Sequence, residues 1–200
     1  MRHYFDASPE TAHEEKFLNM RLRGHDFRFK TDRQVFSRHA VDYGTQLLIE
    51  TVLDDEKLYG RMLDLGCGYG PVGIISKRLA PHLDLVMSDV NKRAVSLAKE
   101  NLKLNQIKYV QVIVSDGLQH IEGSFNVISL NPPVRAGKQV VYRLFEDAFA
   151  HLAKNGYLYV VIQKKQGALS AQKALETITP HVERINRSAG YWVLRAEKTE

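Results

Sequence analysis

Two hundred residues suffice for one domain with a small extension, and 44% apolar with 26% charged content is that of a globular chain. Nothing approaches eighteen consecutive apolar residues and the N-terminus has no apolar leader core, so neither a membrane span nor a secretory signal is expected. The single cysteine, Cys67, excludes an intramolecular disulfide and suits a reducing cytoplasm, while the net charge of +5 hints at a polyanionic partner.

Residues 1–17 are polar and mixed in charge and read as an arm. Met20 and Leu22 then alternate with Arg21 and Arg23, and Phe27 and Phe29 alternate with Arg28 and Lys30, with Gly24 between. That pattern predicts a β-hairpin with one apolar and one basic face. Arg21, Arg23, Arg28, Lys30, Arg33 and Arg38 face only Asp26 and Asp32 in this stretch. They read as a phosphate-contacting surface or as a solvated face. The composition divides the chain into an arm and basic hairpin, 1–40, and a larger α/β domain, 41–200. Val41, Leu47, Leu48, Val52 and Leu53 form a helical stripe, with Asp42 a candidate N-cap.

From residue 61 an alternating pattern begins. Strands are expected near 61–65, 83–88, 109–114, 125–130, 157–163, 182–187 and 191–197, with helices over 72–80, 91–105, 139–154 and 168–178. Gly156 reads as the glycine that ends the third of these helices. Alternation of this kind implies a parallel sheet covered by helices on both faces. Right-handed crossovers then place a ligand crevice at the carboxyl ends of the strands. Asp64, Gly66, Asp89, Asp116 and Asn131 all fall at or just after such ends.

The stretch RMLDLGCGYGPVG, residues 61–73, is an apolar run that breaks into Gly66, Gly68 and Gly70 and resumes as a helix at Pro71. Glycines there let a backbone approach a ligand closely. Asp89, ending the next apolar run, is placed to accept hydrogen bonds from ribose hydroxyls. A dinucleotide site would share much of this layout, but its spacing is GxGxxG rather than DxGxGxGxxG. Asp116 and Gly117 follow the third strand and stand either as a helix-capping loop or as a base-contacting pair. After the fourth strand, Asn131 precedes Pro132 and Pro133. Proline stiffens the backbone on both sides, so Asn-Pro-Pro is a rigid corner that can present the Asn131 side-chain oxygen beside the Pro132 carbonyl. Two acceptors suit an exocyclic NH2 group. The same residues also suit a plain turn. The eight histidines are scattered without zinc spacing, so no metal is expected, and Cys67 offers its backbone N–H rather than a nucleophile.

The glycine stretch resembles motif I of the class I S-adenosylmethionine-dependent methyltransferases, and the resemblance implies their Rossmann-like fold, an α/β doubly wound seven-stranded sheet, mostly parallel with an antiparallel last strand and helices on both faces. The corner resembles the NPP(F/Y) motif of those that methylate amino groups of adenine, guanine or glutamine. It departs at Val134, where many carry an aromatic ring that stacks on the target; Phe36 and Tyr69 are the candidates to replace it. Phe36-Ser37, Asp42, Gly44 and Leu47-Leu48, followed by DLGCGYGPVG and NPPVRAGK, are similar to the methyltransferase small-domain family. That is the family of ribosomal RNA small subunit methyltransferase C and of single-domain YbxB-like proteins. The resemblance covers about residues 20–197 and implies S-adenosylmethionine as cofactor, held by Asp64, Gly66, Cys67, Gly68, Gly70, Asp89, Val90, Asp116, Gly117 and Asn131. It implies catalysis at Asn131, Pro132 and Pro133, contact with the acceptor by Phe36, Arg38, Arg135 and Lys138, and guanine N2 of ribosomal RNA as target. RNA or a ribosomal subunit is then the expected partner, in a monomer or a homodimer. A protein glutamine methyltransferase and a non-catalytic RNA-binding module are the other two readings.

Overall fold

The computed structural model describes residues 15–32 and 40–200. An N-terminal hairpin, β1 (Lys16–Leu22) and β2 (His25–Thr31), is followed by α1 (Tyr43–Asp54), β3 (Arg61–Leu65), α2 (Pro71–Leu79), β4 (Asp84–Asp89) and α3 (Lys92–Leu104). Then come β5 (Gln111–Val114), β6 (Phe125–Leu130), α4 (Lys138–Ala150), β7 (Leu152–Gln163), α5 (Ala168–Glu176), β8 (Val182–Ser188) and β9 (Tyr191–Lys198). Seven strands form one sheet in the order β5-β4-β3-β6-β7-β9-β8. Strands β3 to β7 pair in parallel, and β9 runs antiparallel to both β7 and β8. The expected Rossmann-like sheet, with its antiparallel last strand and separate N-terminal hairpin, is what the chain forms.

The period-2 rule sorts the core into two layers. Met62, Leu85, Met87, Val127, Tyr159 and Val161 face α1, α2, α3 and the hairpin. Leu63, Leu65, Val86, Ile128, Leu130, Leu158 and Val160 face α4 and α5. The sheet is covered on both sides, which is why its central strands read as unbroken apolar runs.

The hairpin turns through Arg23 and Gly24, both at positive φ (49° and 80°), as a two-residue loop requires. Leu18, Phe27 and Phe29 are buried in the same cluster as α1 to α3. The hairpin climbs α3 by three polar steps. Asn105 accepts from the Arg28 N–H at 3.1 Å, Asn101 from the Lys30 N–H at 2.6 Å, and Asp32 from the Arg93 guanidinium at 2.9 Å. The end at Thr31 therefore lies near the start of α3, on the edge of the sheet that carries the strands' carboxyl ends. The turn lies at the opposite edge, where Arg23 pairs with Asp54 at the end of α1.

Three expectations need correction. Lys16 and Phe17 belong to β1 rather than to an arm. Tyr109 stands at φ 60° and is 93% exposed, so β5 begins only at Gln111. Helix α4 ends at Ala150, and Gly156 lies inside β7 instead of capping a helix. A Cβ at Gly156 would stand 2.8 Å from the Ala153 oxygen and 2.9 Å from the Phe125 oxygen, so glycine permits a close backbone approach where β7 bulges against β6. Among the described residues no helix is long and apolar enough to cross a membrane.

Candidate active site

The chain leaves β3 through a turn built almost wholly from backbone. Gly66, Gly68 and Gly70 stand at φ 70°, 56° and 98°, which side-chain-bearing residues rarely adopt. Their surroundings differ. A Cβ at Gly70 would press on Met87 and Ile74 at 2.8 and 2.9 Å, so this glycine serves packing. A Cβ at Gly66 would meet nothing within 4 Å, so the turn is open there and can cradle a ligand. The Cys67 N–H donates to the Ser88 carbonyl at 2.8 Å, tying the turn to β4. Burial pushes the Cys67 thiol well above its ordinary range, so it is no thiolate nucleophile.

Two acids brace the turn. Asp64, on β3, accepts from the Gly73 N–H at 2.9 Å and from the Ser129 hydroxyl at 3.3 Å. It thereby satisfies a backbone donor in the first turn of α2, at the positive end of that helix. Burial raises its carboxyl to about 7, and the charge of Asp89 adds to the rise while the two hydrogen bonds oppose it. Asp89 closes β4 and accepts from the Gly68 N–H at 2.9 Å and the Asn91 N–H at 2.8 Å. Burial raises it too, against these backbone donors. One carboxylate thus holds the glycine turn and stands at its mouth, beside the half-exposed Val90. An open cradle edged by an acceptor fits the sugar of a nucleoside cofactor. On the next loop, Asp116 pairs with Arg143 of α4 at 2.7 Å, and Gly117 takes φ 55°.

Leu65 and Leu130 are register partners on the neighbouring strands β3 and β6, so Gly66 and Asn131 leave the sheet side by side. After Asn131 the chain makes a tight turn. Pro133 stands at φ −75°, ψ 74°, and the Val134 N–H donates to the Pro132 oxygen at 2.8 Å, an inverse γ-turn. That carbonyl keeps one of its two lone pairs for another donor. The Asn131 amide donates to the Thr45 hydroxyl at 3.0 Å. Thr45 in turn donates to Asp42, which also accepts from the Thr45 N–H at 3.1 Å and so caps α1 as expected.

Tyr69 does not replace the missing ring after Asn-Pro-Pro. It is 2% exposed and packs edge-on against Phe29 at 5.8 Å. Phe36, Arg38 and Arg33 lie outside the described residues. The structure offers a ring the sequence reading missed. Tyr43, 45% exposed at the first turn of α1, stands against Tyr191 at 5.9 Å and shares a 2.6 Å hydrogen bond with Ser188. A lone tyrosine at the start of a helix gives no signal of this. Its place follows only from α1 docking across β7 and β9. Arg135 and Lys138 are exposed just after the corner, and Lys164 and Lys165 just after β7 add exposed positive charge to the same rim. In the hairpin, Lys30 is held between Glu15 and Glu100, each at 2.8 Å. No group of three or more metal-ligating side chains occurs among the described residues.

The family model of the methyltransferase small domain matches residues 26–195. The Bacillus subtilis protein YbxB is 39% identical over 198 residues, 98% of either chain. Ribosomal RNA small subunit methyltransferase C of Haemophilus influenzae is 39% identical over 131 residues, 64% of this chain and 39% of that one. The T. thermophilus 16S rRNA guanine-N2 methyltransferase RsmC, solved with S-adenosylmethionine and guanosine, superposes with a TM-score of 0.83 at 27% identity. That superposition covers 96% of this chain and 52% of the other, so the chain spans about half the length of this enzyme.

Proposed function

Because the chain belongs to the methyltransferase small domain family, we propose that it methylates an exocyclic amine of RNA, guanine N2 of ribosomal RNA, from S-adenosylmethionine. S-adenosylmethionine is the family's cofactor, and when bound it supplies an electrophilic methyl group. The carrying observation is the register of β3 and β6: Leu65 pairs with Leu130, so an open glycine cradle and a rigid acceptor corner emerge side by side. Neighbouring strands lie about 4.8 Å apart, which brings the two halves of a transfer reaction within reach of each other.

Asp89 holds the ribose, the backbone from Gly66 to Gly70 lines the cofactor, and the loop of Asp116 and Gly117 meets its base. Arg143 must share Asp116 for that contact to form. At the corner, the Asn131 oxygen and the remaining lone pair of the Pro132 carbonyl each accept one hydrogen of the NH2 group. This localises the nitrogen lone pair and aims it. Positioning of this kind can lower a barrier by ~7–11 kcal/mol in favourable cases. No strong base is required, because the nitrogen sheds its proton only as the new bond forms. Guanine N2 is paired in a duplex, so the base must be unpaired or flipped out, and Tyr43 offers a face on which it can stack. The positive rim favours RNA over a protein glutamine, and a ribosomal RNA target places the work in the cytoplasm.

The test is transfer of tritiated methyl to small ribosomal subunits, naked ribosomal RNA and a release factor, followed by nucleoside and amino-acid analysis. N2-methylguanosine is the expected product. A label on glutamine, on a ring carbon or on a ribose oxygen would overturn the assignment.

A further inference from the structure

Asparagine has two ends, a carbonyl that accepts and an NH2 that donates, and only one orientation can receive an amine. What turns Asn131 the right way lies on α1. Thr45 has a single hydroxyl hydrogen, and gives it to the Asp42 carboxylate, which as an anion can only accept. Toward Asn131 the hydroxyl therefore has only lone pairs to offer. The amide must turn its NH2 group to Thr45, as it does at 3.0 Å, and its oxygen to the other side. The opposite orientation would bring two acceptor oxygens together. We propose that Thr45, polarised by Asp42, is a positioning residue that fixes the Asn131 oxygen toward the acceptor amine. This rests on the amine reading of the corner.

Three features support it. Thr45 is 5% exposed, so water competes little for the contact. The carboxylate that orients Thr45 also caps α1 through the Thr45 N–H, so the start of the helix and the direction of the relay are set by one side chain. Each donor in the chain strengthens the next, since a hydroxyl that donates to a carboxylate becomes a better acceptor. The NH2 group that donates to it leaves the Asn131 carbonyl more basic.

The relay makes an unusual demand on Asp42. Asparagine caps helices as well as aspartate does. In Asp42→Asn, however, an oxygen can still cap the Thr45 N–H while the new NH2 group faces the Thr45 hydroxyl. The hydroxyl hydrogen is then released toward Asn131, whose amide flips and presents NH2 to the substrate.

Three variants test this: Thr45→Val, which keeps the shape, Thr45→Ser, which keeps the hydroxyl, and Asp42→Asn. Thr45→Val should lower kcat about tenfold, the scale of one orienting hydrogen bond, with KM for RNA and affinity for S-adenosylmethionine within about twofold. Thr45→Ser should restore kcat to within about threefold. Asp42→Asn should lose at least as much as Thr45→Val while its circular dichroism stays that of the folded protein. A second readout needs no acceptor: the side-chain 15N–H2 resonances of Asn131, identified by their loss in Asn131→Ala, should shift in Thr45→Val and Asp42→Asn and stay in place in Thr45→Ser. Unmoved resonances in Thr45→Val, or a wild-type kcat in Asp42→Asn, would overturn the relay. Failure of the guanine reading shows separately, as the wild-type protein making no N2-methylguanosine.

Discussion

The glycine turn after β3 and the Asn-Pro-Pro corner after β6 leave adjacent paired strands, yet they are made of different material. The turn is backbone: three glycines at positive φ, tied down by Ser88 and Asp89 from the neighbouring strand. The corner depends on side chains, and its asparagine is held by a threonine 86 residues earlier in the chain. A ligand gripped by backbone depends on local spacing. A substrate aimed by a side chain depends on whatever the fold brings to its flank. The two halves should therefore fail separately.

The largest effect should come from the corner. Asn131→Ala removes an acceptor whose bond to the amine strengthens as the methyl arrives, so it should lower the transfer rate by roughly 10²-fold or more. Affinity for S-adenosylmethionine, measured by calorimetry, should stay within about twofold. A variant that loses both together would show that the corner also carries the cofactor and that the halves are not separate.

The mirror experiment is Asp89→Ala. Hydrogen bonds to a charged acceptor contribute ~1.5–3 kcal/mol each, so affinity for S-adenosylmethionine should fall about tenfold to more than a hundredfold. Part of the loss will come from the turn itself, because Asp89 also holds the Gly68 N–H. Transfer at saturating cofactor should remain within a few-fold of normal. Unchanged affinity in a folded Asp89→Ala would remove this residue from the ribose site.

The same contrast explains what the sequence made legible. The order of strands and helices, the cap at Asp42 and the Asp64–Gly70 spacing were all readable, because each is a local pattern with a local cause. Gly156 was misread because a glycine after a helix is commonly a cap, and only the approach of the Phe125 and Ala153 oxygens shows otherwise. Tyr69 was misplaced for a related reason. Its neighbours are glycines of an open turn, but its ring is taken up by Phe29 of the hairpin. The contacts of Thr45 and Tyr43 have no local sequence signal, since both arise from where α1 docks.

Tyr43 sharpens the acceptor side at smaller scale. Stacking a base on an aromatic ring is worth ~1–3 kcal/mol by alanine substitution. Tyr43→Ala should thus raise KM for RNA roughly fivefold or more, while Tyr43→Phe, which keeps the ring and drops the bond to Ser188, should recover most of it. An equal loss in both variants would mean that the Ser188 contact matters and the ring face does not.

The smallest effect concerns two sets of basic residues, and it decides between two readings of the hairpin. The hairpin reads from sequence as a phosphate-contacting surface or as a solvated face, and the fold puts most of its charge away from the corner. Helix α1 has twelve residues and is about 18 Å long. Its first turn bonds Asn131, whereas its last residue, Asp54, pairs with Arg23 at the hairpin turn. Arg21 and Arg28 lie on that far side too: Arg21 neighbours Asp26, and Arg28 stacks on Phe17 beside the end of α3. Lys30 is occupied by Glu15 and Glu100. Arg135 and Lys138, by contrast, are exposed within a few residues of the corner, and Lys164 and Lys165 extend the same rim. Each phosphate contact releases counterions and contributes about 0.7 to the log–log salt slope on single-stranded RNA. Replacing Arg135 and Lys138 with glutamine should therefore flatten the slope by about 1.4. The pair Arg21→Gln and Arg28→Gln should leave it unchanged within error. If the hairpin pair moves the slope as much as the rim pair, the RNA wraps past the end of α1, and the acceptor surface is far larger than the corner that aims the amine.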